Sequence, residues 1–261
     1  PLLRNPDKSK LSKRKNPTSI DYYKDAGFLP EAVVNYLGMM GYTLPDQREI
    51  FDLQELSESF EIKRMSLGGP IFDIAKLKWL NGRYLREKLS QEDVLQKIIE
   101  WKANPEFLSK ILPLALNRLE TLSDFFPLSH FLLDDVPEYS LEKLIGKTEG
   151  LQVAKLLKIA EWEMEKIQKW NRDQISALFQ KISQLEDIKL KHLLAPFFVA
   201  ITGNSVSLPL FDSLELLGPD LTRTRIRIAL EKLSADSLGL SKKALKKLEK
   251  DYANQYGNRI D

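Results

Sequence analysis

Apolar residues recur along most of the chain at the three- and four-residue spacing of helices that face a core. Nowhere do they alternate cleanly for more than a few positions, so the pattern predicts a mainly α protein. Ser19 is placed to cap a short helix running through Asp25 to a stop at Gly27. Pro30 suits the first position of a second helix, which carries Val33, Val34, Leu37 and Met40 on one side and ends near Gly41. A short helix over Asp52 to Phe60 and a break at Leu67-Gly68-Gly69-Pro70 come next. From Asp73 to Asn81 the apolar positions Ile74, Leu77, Trp79 and Leu80 predict another helix, with Gly82 as its stop and Tyr84 to Lys88 as a further turn. After Ser90 the helices lengthen. Ser90 caps Gln91 to Ala103, with Glu92 and Asp93 in the first turn where the helix dipole favours acids. Asn104-Pro105 opens a helix toward Leu116, and Pro127 and Pro137 bracket a compact hydrophobic connector. Thr148 to Lys169 is expected to be the longest helix, its stripe formed by Val153, Leu156, Leu157, Ala160, Met164 and Ile167. Asn171 and Gln174 form a capping-box pair for Asp173 to Leu185. Lys189–Thr202, Leu210–Leu217 and Leu221–Leu233 continue the series, and Lys242–Tyr256 sets Leu245, Leu248 and Tyr252 on one face against lysines on the other. No internal repeat of fixed period is present.

The 261 residues suggest about two compact units at ~100–200 residues per domain. A hydrophobic content of 43% and a charged content of 29% are those of an ordinary globular protein. No apolar run approaches the ~20 residues of a membrane span, and the longest, Leu193 to Ile201, contains Pro196, so no membrane partner is expected. The absence of cysteine excludes disulfides and thiolate metal sites, and with only His130 and His192 no metal centre is expected. No serine sits in a nucleophile-elbow sequence. The net charge of +2, from 39 basic and 37 acidic side chains, does not exclude nucleic acid, because a binding face needs only local positive charge. The first fifteen residues are clearly basic. The sequence starts at Pro1 with neither methionine nor signal peptide, which looks like a cut through a longer protein.

The basic segment Asp7-Lys8-Ser9-Lys10-Leu11-Ser12-Lys13-Arg14-Lys15 has three explanations: a solvated linker, a targeting-type basic run, or a phosphate-binding loop. Composition alone favours the linker. The placement of Lys10 and Lys13 about a serine and one apolar anchor, Leu11, favours the loop, since a mobile lysine pair can follow polyphosphate charge as it shifts during reaction.

Lys10-Leu11-Ser12-Lys13-Arg14 also resembles the second signature of class I aminoacyl-tRNA synthetases, usually written Lys-Met-Ser-Lys-Ser, with the arginine ending typical of glutamyl-type enzymes. The likeness extends through Asp21-Tyr22-Tyr23, Gly27-Phe28-Leu29-Pro30-Glu31-Ala32, Asn35-Tyr36-Leu37 and Met40-Gly41. It continues through Ser66-Leu67-Gly68-Gly69-Pro70-Ile71-Phe72-Asp73, Lys76-Leu77 and Trp79-Leu80-Asn81-Gly82, and returns at Ala200-Ile201-Thr202-Gly203, Leu210-Phe211 and Leu216-Leu217-Gly218. Over essentially its whole length the chain resembles the C-terminal part of bacterial-type glutamyl-tRNA synthetases.

That resemblance implies a helical stem-contact region followed by an all-helical anticodon-binding region of two subdomains. The implied boundaries are 1–20 for the end of a catalytic domain, 21–89 for stem contact, and 90–147 and 148–261 for the two anticodon-binding parts. Glutaminyl-type and eukaryotic glutamyl-type enzymes use β-barrels there instead. In the family, ATP with magnesium and glutamate form glutamyl-adenylate, and the glutamyl group then moves to the terminal ribose of glutamate tRNA. The resemblance assigns ATP binding to Lys10, Ser12 and Lys13, with Lys10 and Lys13 holding the triphosphate as pyrophosphate leaves. The His-Ile-Gly-His-type signature is absent from this sequence. The chain by itself is therefore expected to bind no cofactor and to make no adenylate, glutamate and ATP entering through a missing N-terminal half.

For tRNA, the resemblance points to Lys76, Lys78, Arg83 and Arg86 as backbone phosphate contacts, against the alternative of ordinary surface charges beside a buried Trp79. It places Arg118 where the family reads the third anticodon base, against an ion pair with a nearby Glu or Asp. Ser207 and Phe211 match a hydroxyl and a stacking aromatic at the anticodon, although Phe211 is equally suited to the core. Ala195 and Phe198 fall where some members carry polar RNA-contacting groups. A monomer in the bacterial cytoplasm is implied, with an organelle matrix as the alternative. Two other functions fit the residues: a stand-alone tRNA-binding module, and a helical interaction scaffold without chemistry.

Overall fold

A computed structural model of the protein describes residues 3–12, 19–66, 68–133 and 136–257. Regular structure among these residues is helical, and β-type pairing is confined to two isolated bridges, Arg4 with Lys10 and Arg4 with Ile71. The chain divides into two compact units, Pro1–Asn104 and Pro105–Asp261.

The first unit holds α1 (Ile20–Asp25), α2 (Pro30–Gly41), α3 (Leu53–Ser59), α4 (Ile74–Glu87) and α5 (Gln91–Trp101). Helices α2 and α4 pack together over Ala32, Tyr36, Leu77, Leu80 and Tyr84, all buried. Polar side chains fix their register. Asn35, 1% exposed, donates to the Glu49 carbonyl at 3.0 Å and accepts from the Phe51 amide at 3.1 Å and the Tyr84 hydroxyl at 2.9 Å. Tyr36 accepts from the Asp73 amide at 2.7 Å and donates to its carbonyl at 2.9 Å, while the Asp73 carboxylate caps α4 through the amides of Ala75 and Lys76. Asn81 accepts from the Leu29 amide at 2.8 Å at the start of α2.

One expectation is revised in this unit. Gly82 does not stop α4, which runs unbroken to Glu87. An interior glycine costs a helix ~0.5–1 kcal/mol, and burial of Leu80 before it and Tyr84 after it outweighs that. Helix α5 packs on the other helices of this unit, with Lys97 paired to Glu31 at 3.3 Å. Gly27 has φ +80°, and a Cβ there would lie 3.1 Å from the Trp101 ring, whose indole N–H donates to the Lys24 carbonyl at 2.9 Å. The start of α5 is as expected, with Ser90 and Asp93 forming a reciprocal capping box.

The second unit comprises α6 (Pro105–Ala115), α7 (Phe125–Ser129), α8 (Leu141–Ile145), α9 (Gly150–Met164), α10 (Arg172–Leu185), α11 (Leu190–Thr202), α12 (Leu210–Leu217), α13 (Pro219–Ala235) and α14 (Lys242–Tyr256). Its axis is α9, packed by α10, α11 and α13 and buried nearly all round. At 15 residues α9 is shorter than α13, at 17, because the chain after Met164 turns back and brings Lys166 onto Glu163. Two α9 carboxylates are buried and therefore need partners. Glu161 accepts from Lys158 at 2.6 Å and Arg227 at 3.0 Å; Glu163 accepts from Lys166 and Lys181, each at 2.8 Å, and from the Tyr252 hydroxyl at 2.6 Å. Tyr252 belongs to α14 and packs edge-on against Trp162 of α9, with ring centroids 4.8 Å apart. Arg225 of α13, fully buried, donates to the main-chain carbonyls of Ile201 and Phe131 and so ties α11 to the connector before α8.

Candidate nucleic-acid interface

Three groups of side chains carry the candidate chemistry, each held by local structure. The first is the basic loop. Residues 3–11 fold back on themselves: the Leu11 amide donates to the Leu3 carbonyl at 2.9 Å, and the Asn5 amide to the Ser9 carbonyl at 2.8 Å. Lys8 at the tip has φ +64°, and Asp7 accepts from both the amide and the hydroxyl of Ser9. The buried Asn5 side chain donates to the Ser9 hydroxyl at 3.0 Å and the Lys10 carbonyl at 3.3 Å. Arg4 then pins the whole turn to the segment before α4, donating to the Pro70 carbonyl at 2.9 Å and accepting from the Phe72 amide at 2.8 Å. Lys10 therefore has a fixed backbone and an exposed side chain, and Ser12 is half-buried beside it. An exposed ammonium on a pinned backbone suits a phosphate-bearing nucleotide. Lys13 lies outside the described residues.

The second group lies on α4. Lys76, Trp79, Arg83 and Arg86 share one flank of the helix, and Lys78 projects from the other, about 200° further round from Lys76. The Trp79 ring is 41% exposed, not buried as the sequence suggested. Leu77, Leu80 and Tyr84 fill the buried face and leave it outside. Lys76 Nζ sits 4.1 Å from its centroid and the Arg83 guanidinium carbon 5.3 Å, so the two cations bracket the indole along the helix. Each has a carboxylate partner. Lys76 meets Glu49 Oε1 at 2.6 Å, and Arg83 grips Glu87 through Nε at 2.7 Å and Nη2 at 2.6 Å. The bond from Arg83 holds the Glu87 carboxyl below its usual range and raises Arg83 above its own. Arg86 is exposed and folds its guanidinium back over Gly82.

The third group is in the second unit. Arg118 ends a short 3-10 turn after α6, and its guanidinium donates to the Ser207 carbonyl, so the structure brings together two residues 89 positions apart. Neither Glu nor Asp is the partner shown there. Ser207 is buried and meets Arg118 through its main chain. The loop that carries it is fixed at both ends. Gly203 has φ +74°, and a Cβ there would stand 3.0 Å from the Glu138 carbonyl, so only glycine fits. Thr202 accepts from the Asn204 amide at 3.1 Å, Lys143 reaches Asn204 at 3.0 Å, and Leu208 and Leu210 are buried beyond. Phe211 is half-buried and stacks on Phe179 of α10 at 5.7 Å, which makes it a rim member of the core.

The segments that meet at this contact also carry exposed apolar side chains that the sequence did not single out: Leu122 at 88% and Phe126 at 64% after Arg118, and Val206 at 79% beside Ser207. Asp124 caps the turn that presents Leu122 and Phe126; its carboxyl accepts from the amides of Thr121 and Glu120, which hold it below its ordinary range. No sequence signal marked them, since Leu122 and Phe126 precede the connector that Pro127 and Pro137 bracket and Val206 lies well beyond it. Unstacked nucleotide bases need a face to lie on and a donor for their edge, and these segments carry residues of both kinds.

Comparison with known proteins identifies the family. The family described as "Anticodon binding domain" matches residues 86–230, more than half of the chain. This chain belongs to the anticodon binding domain family. The match takes in α5 to most of α13, and so the Arg118–Ser207 contact. Upstream, "tRNA synthetases class I (E and Q), catalytic domain" matches residues 1–79, including the basic loop and the start of α4. The chain is 47% identical over 253 residues to the glutamate–tRNA ligase of Pseudoalteromonas translucida, covering 97% of the chain and 50% of that protein. It is 48% identical over 255 residues to that of Marinomonas sp., covering 97% and 51%. A crystal structure of a glutamate tRNA ligase from Elizabethkingia meningosepticum in complex with its amino acid matches with 24% identity and a TM-score of 0.45, over 89% of this chain and 50% of that one. The chain spans about half the length of the curated relatives it matches.

Proposed function

We propose that this chain is the tRNA-binding C-terminal part of a glutamate–tRNA ligase, the enzyme that uses ATP to attach glutamate to glutamate tRNA. The observation that carries the reading is the near-complete alignment, at 47–48% identity, with one half of two such ligases, combined with the anticodon-binding family match. In this reading Arg118 reads the third anticodon base, while the Ser207 loop and Phe211 complete the anticodon surface. Phosphate contacts fall to Lys76, Lys78, Arg83 and Arg86, which set register without reading sequence. ATP, bound with magnesium in the whole enzyme, supplies the activating phosphoanhydride. Lys10 and Lys13 face its phosphates, with Ser12 as a hydrogen-bonding neighbour. The resemblance gives Lys13 the leading role of the two, and Lys10 joins it from a pinned backbone with an exposed side chain that can follow the phosphates. The working enzyme is a monomer of the bacterial cytoplasm, and this chain alone makes no adenylate.

The test is binding of the chain to glutamate tRNA and to a tRNA of unrelated anticodon, monitored by fluorescence anisotropy at two salt concentrations. The reading expects preference for glutamate tRNA and an affinity that falls steeply with salt, as counterion release requires. Equal, salt-insensitive or absent binding contradicts it. Pyrophosphate exchange by the isolated chain contradicts the assignment of activation to the other half.

A further inference from the structure

Two of the cations on α4, Lys76 and Arg83, are not free to meet RNA as they stand. Lys76 and Arg83 both lie over an exposed indole, 4.1 and 5.3 Å from its centroid, and each is already closed by a carboxylate from this chain, Glu49 and Glu87. Two positive and two negative groups leave the cluster with no net charge, yet its geometry is set in advance. Trp79 does not fill a core, since it is 41% exposed; its ring orders the two cations. Both carboxylates are solvent-exposed, 46% for Glu49 and 44% for Glu87, and exposed pairs of this kind contribute little to stability. Exchanging them for a better anion therefore costs the fold almost nothing. The Arg83 fork, now engaged by two nitrogens on Glu87, matches phosphate in the same two-point geometry.

We propose that Glu49 and Glu87 are latches on a preformed phosphate clamp, Lys76–Trp79–Arg83, and that RNA backbone phosphates open it by replacing them. This rests on the tRNA-binding reading and deepens it by naming which groups compete with the RNA. The carboxylates repel any polyanion that cannot engage Lys76 and Arg83 together. They so suppress loose binding while leaving the fitted contact available, a use of repulsion for selectivity. Trp79 is a positioning residue, because it acts on the RNA through the cations it holds.

The experiment measures tRNA affinity of the full chain at low and high salt for wild type, Glu49→Gln, Glu87→Gln, their double variant, Trp79→Phe and Trp79→Ala. Glu106→Gln, which opens an equally simple i,i+4 pair with Lys110 in the second unit, is the control for net charge. Glutamine keeps the shape of each latch and removes its charge, so folding is preserved. The proposal expects each latch variant to bind glutamate tRNA tighter, on the order of severalfold at low salt, with the gain shrinking at high salt as exposed charges are screened. It also expects poorer discrimination against an unrelated tRNA, weaker binding by Trp79→Ala than by Trp79→Phe, and no gain from Glu106→Gln. If wild type binds but the latch variants bind equally or more weakly, or Glu106→Gln gains as much, the latch is wrong and the tRNA-binding reading stands. If no variant binds tRNA at all, the reading beneath it fails too.

Discussion

Removing one oxygen from the second unit tests how its buried charges are held. Tyr252→Phe deletes the hydroxyl that donates to Glu163 Oε1 at 2.6 Å and leaves the ring, with its edge contact to Trp162 at 4.8 Å and its stack on Tyr256 at 4.9 Å, in place. The Glu163 side chain is 5% exposed, so water cannot readily replace the lost donor. Lys166 and Lys181 remain at 2.8 Å, so the carboxylate is weakened in its support and not stranded. A hydrogen bond to a charged group contributes ~1.5–3 kcal/mol, which sets the expected loss. At roughly 2–4 °C per kcal/mol for a unit of this size, the melting temperature should fall by several degrees. The loss should also depend on pH. Burial alone raises the Glu163 carboxyl, but the bonds from Lys166, Lys181 and Tyr252 outweigh it and hold the folded value below the usual one. A depressed folded value gives stability that is complete above the unfolded pKa, ~4.3, and is lost as pH falls through the folded one. Deleting the hydroxyl lifts the folded value, so the deficit of the variant should narrow as pH drops below about 4. Urea denaturation of both proteins between pH 3 and 8 measures this. A difference under about 0.5 kcal/mol at pH 7, or one that stays constant to pH 3, refutes the argument.

Other positions give further expected outcomes. Gly203→Ala forces a Cβ to within 3.0 Å of the Glu138 carbonyl at φ +74° and should cost ~1–3 kcal/mol in urea denaturation, with weaker tRNA binding as the Ser207 loop shifts. Gly41→Ala, where nothing lies within 4 Å, should be neutral or slightly stabilising in the same assay. At alkaline pH, burial pushes the Tyr84 and Tyr139 hydroxyls up to about 12. Their neutral forms are thus favoured by folding, and stability should be intact below ~10 and decline from there towards 12. A denaturation series over pH 8–12 checks this, and a flat profile contradicts it.

Much of the helical layout was legible because its signals are local. Ser90 and Asn171 cap where the sequence places them, since a side-chain oxygen and an amide three residues on suffice. Gly82 misled because a glycine stops a helix only when nothing packs on either side of it, and Leu80 and Tyr84 both do. The site was partly legible. The cations of α4 could be named from type and spacing, but the exposure of Trp79 depends on which face α2 covers. The partner of Arg118 is a main-chain carbonyl 89 positions away, and the partners of Arg225 are two more, so neither leaves a residue type to detect. Lone arginines of this kind look alike in sequence whether they await a base or staple a core.

Arg118 is therefore where the account is most exposed. The decisive measurement is a double cycle of Arg118→Ala against a changed third anticodon base, read as affinity of the chain for glutamate tRNA. If Arg118 reads that base, each change weakens binding by ~1–3 kcal/mol and the two together cost clearly less than their sum. If the Ser207 carbonyl is its whole purpose, the two losses simply add, or the base change has no effect, and the anticodon assignment is contradicted at its most specific residue.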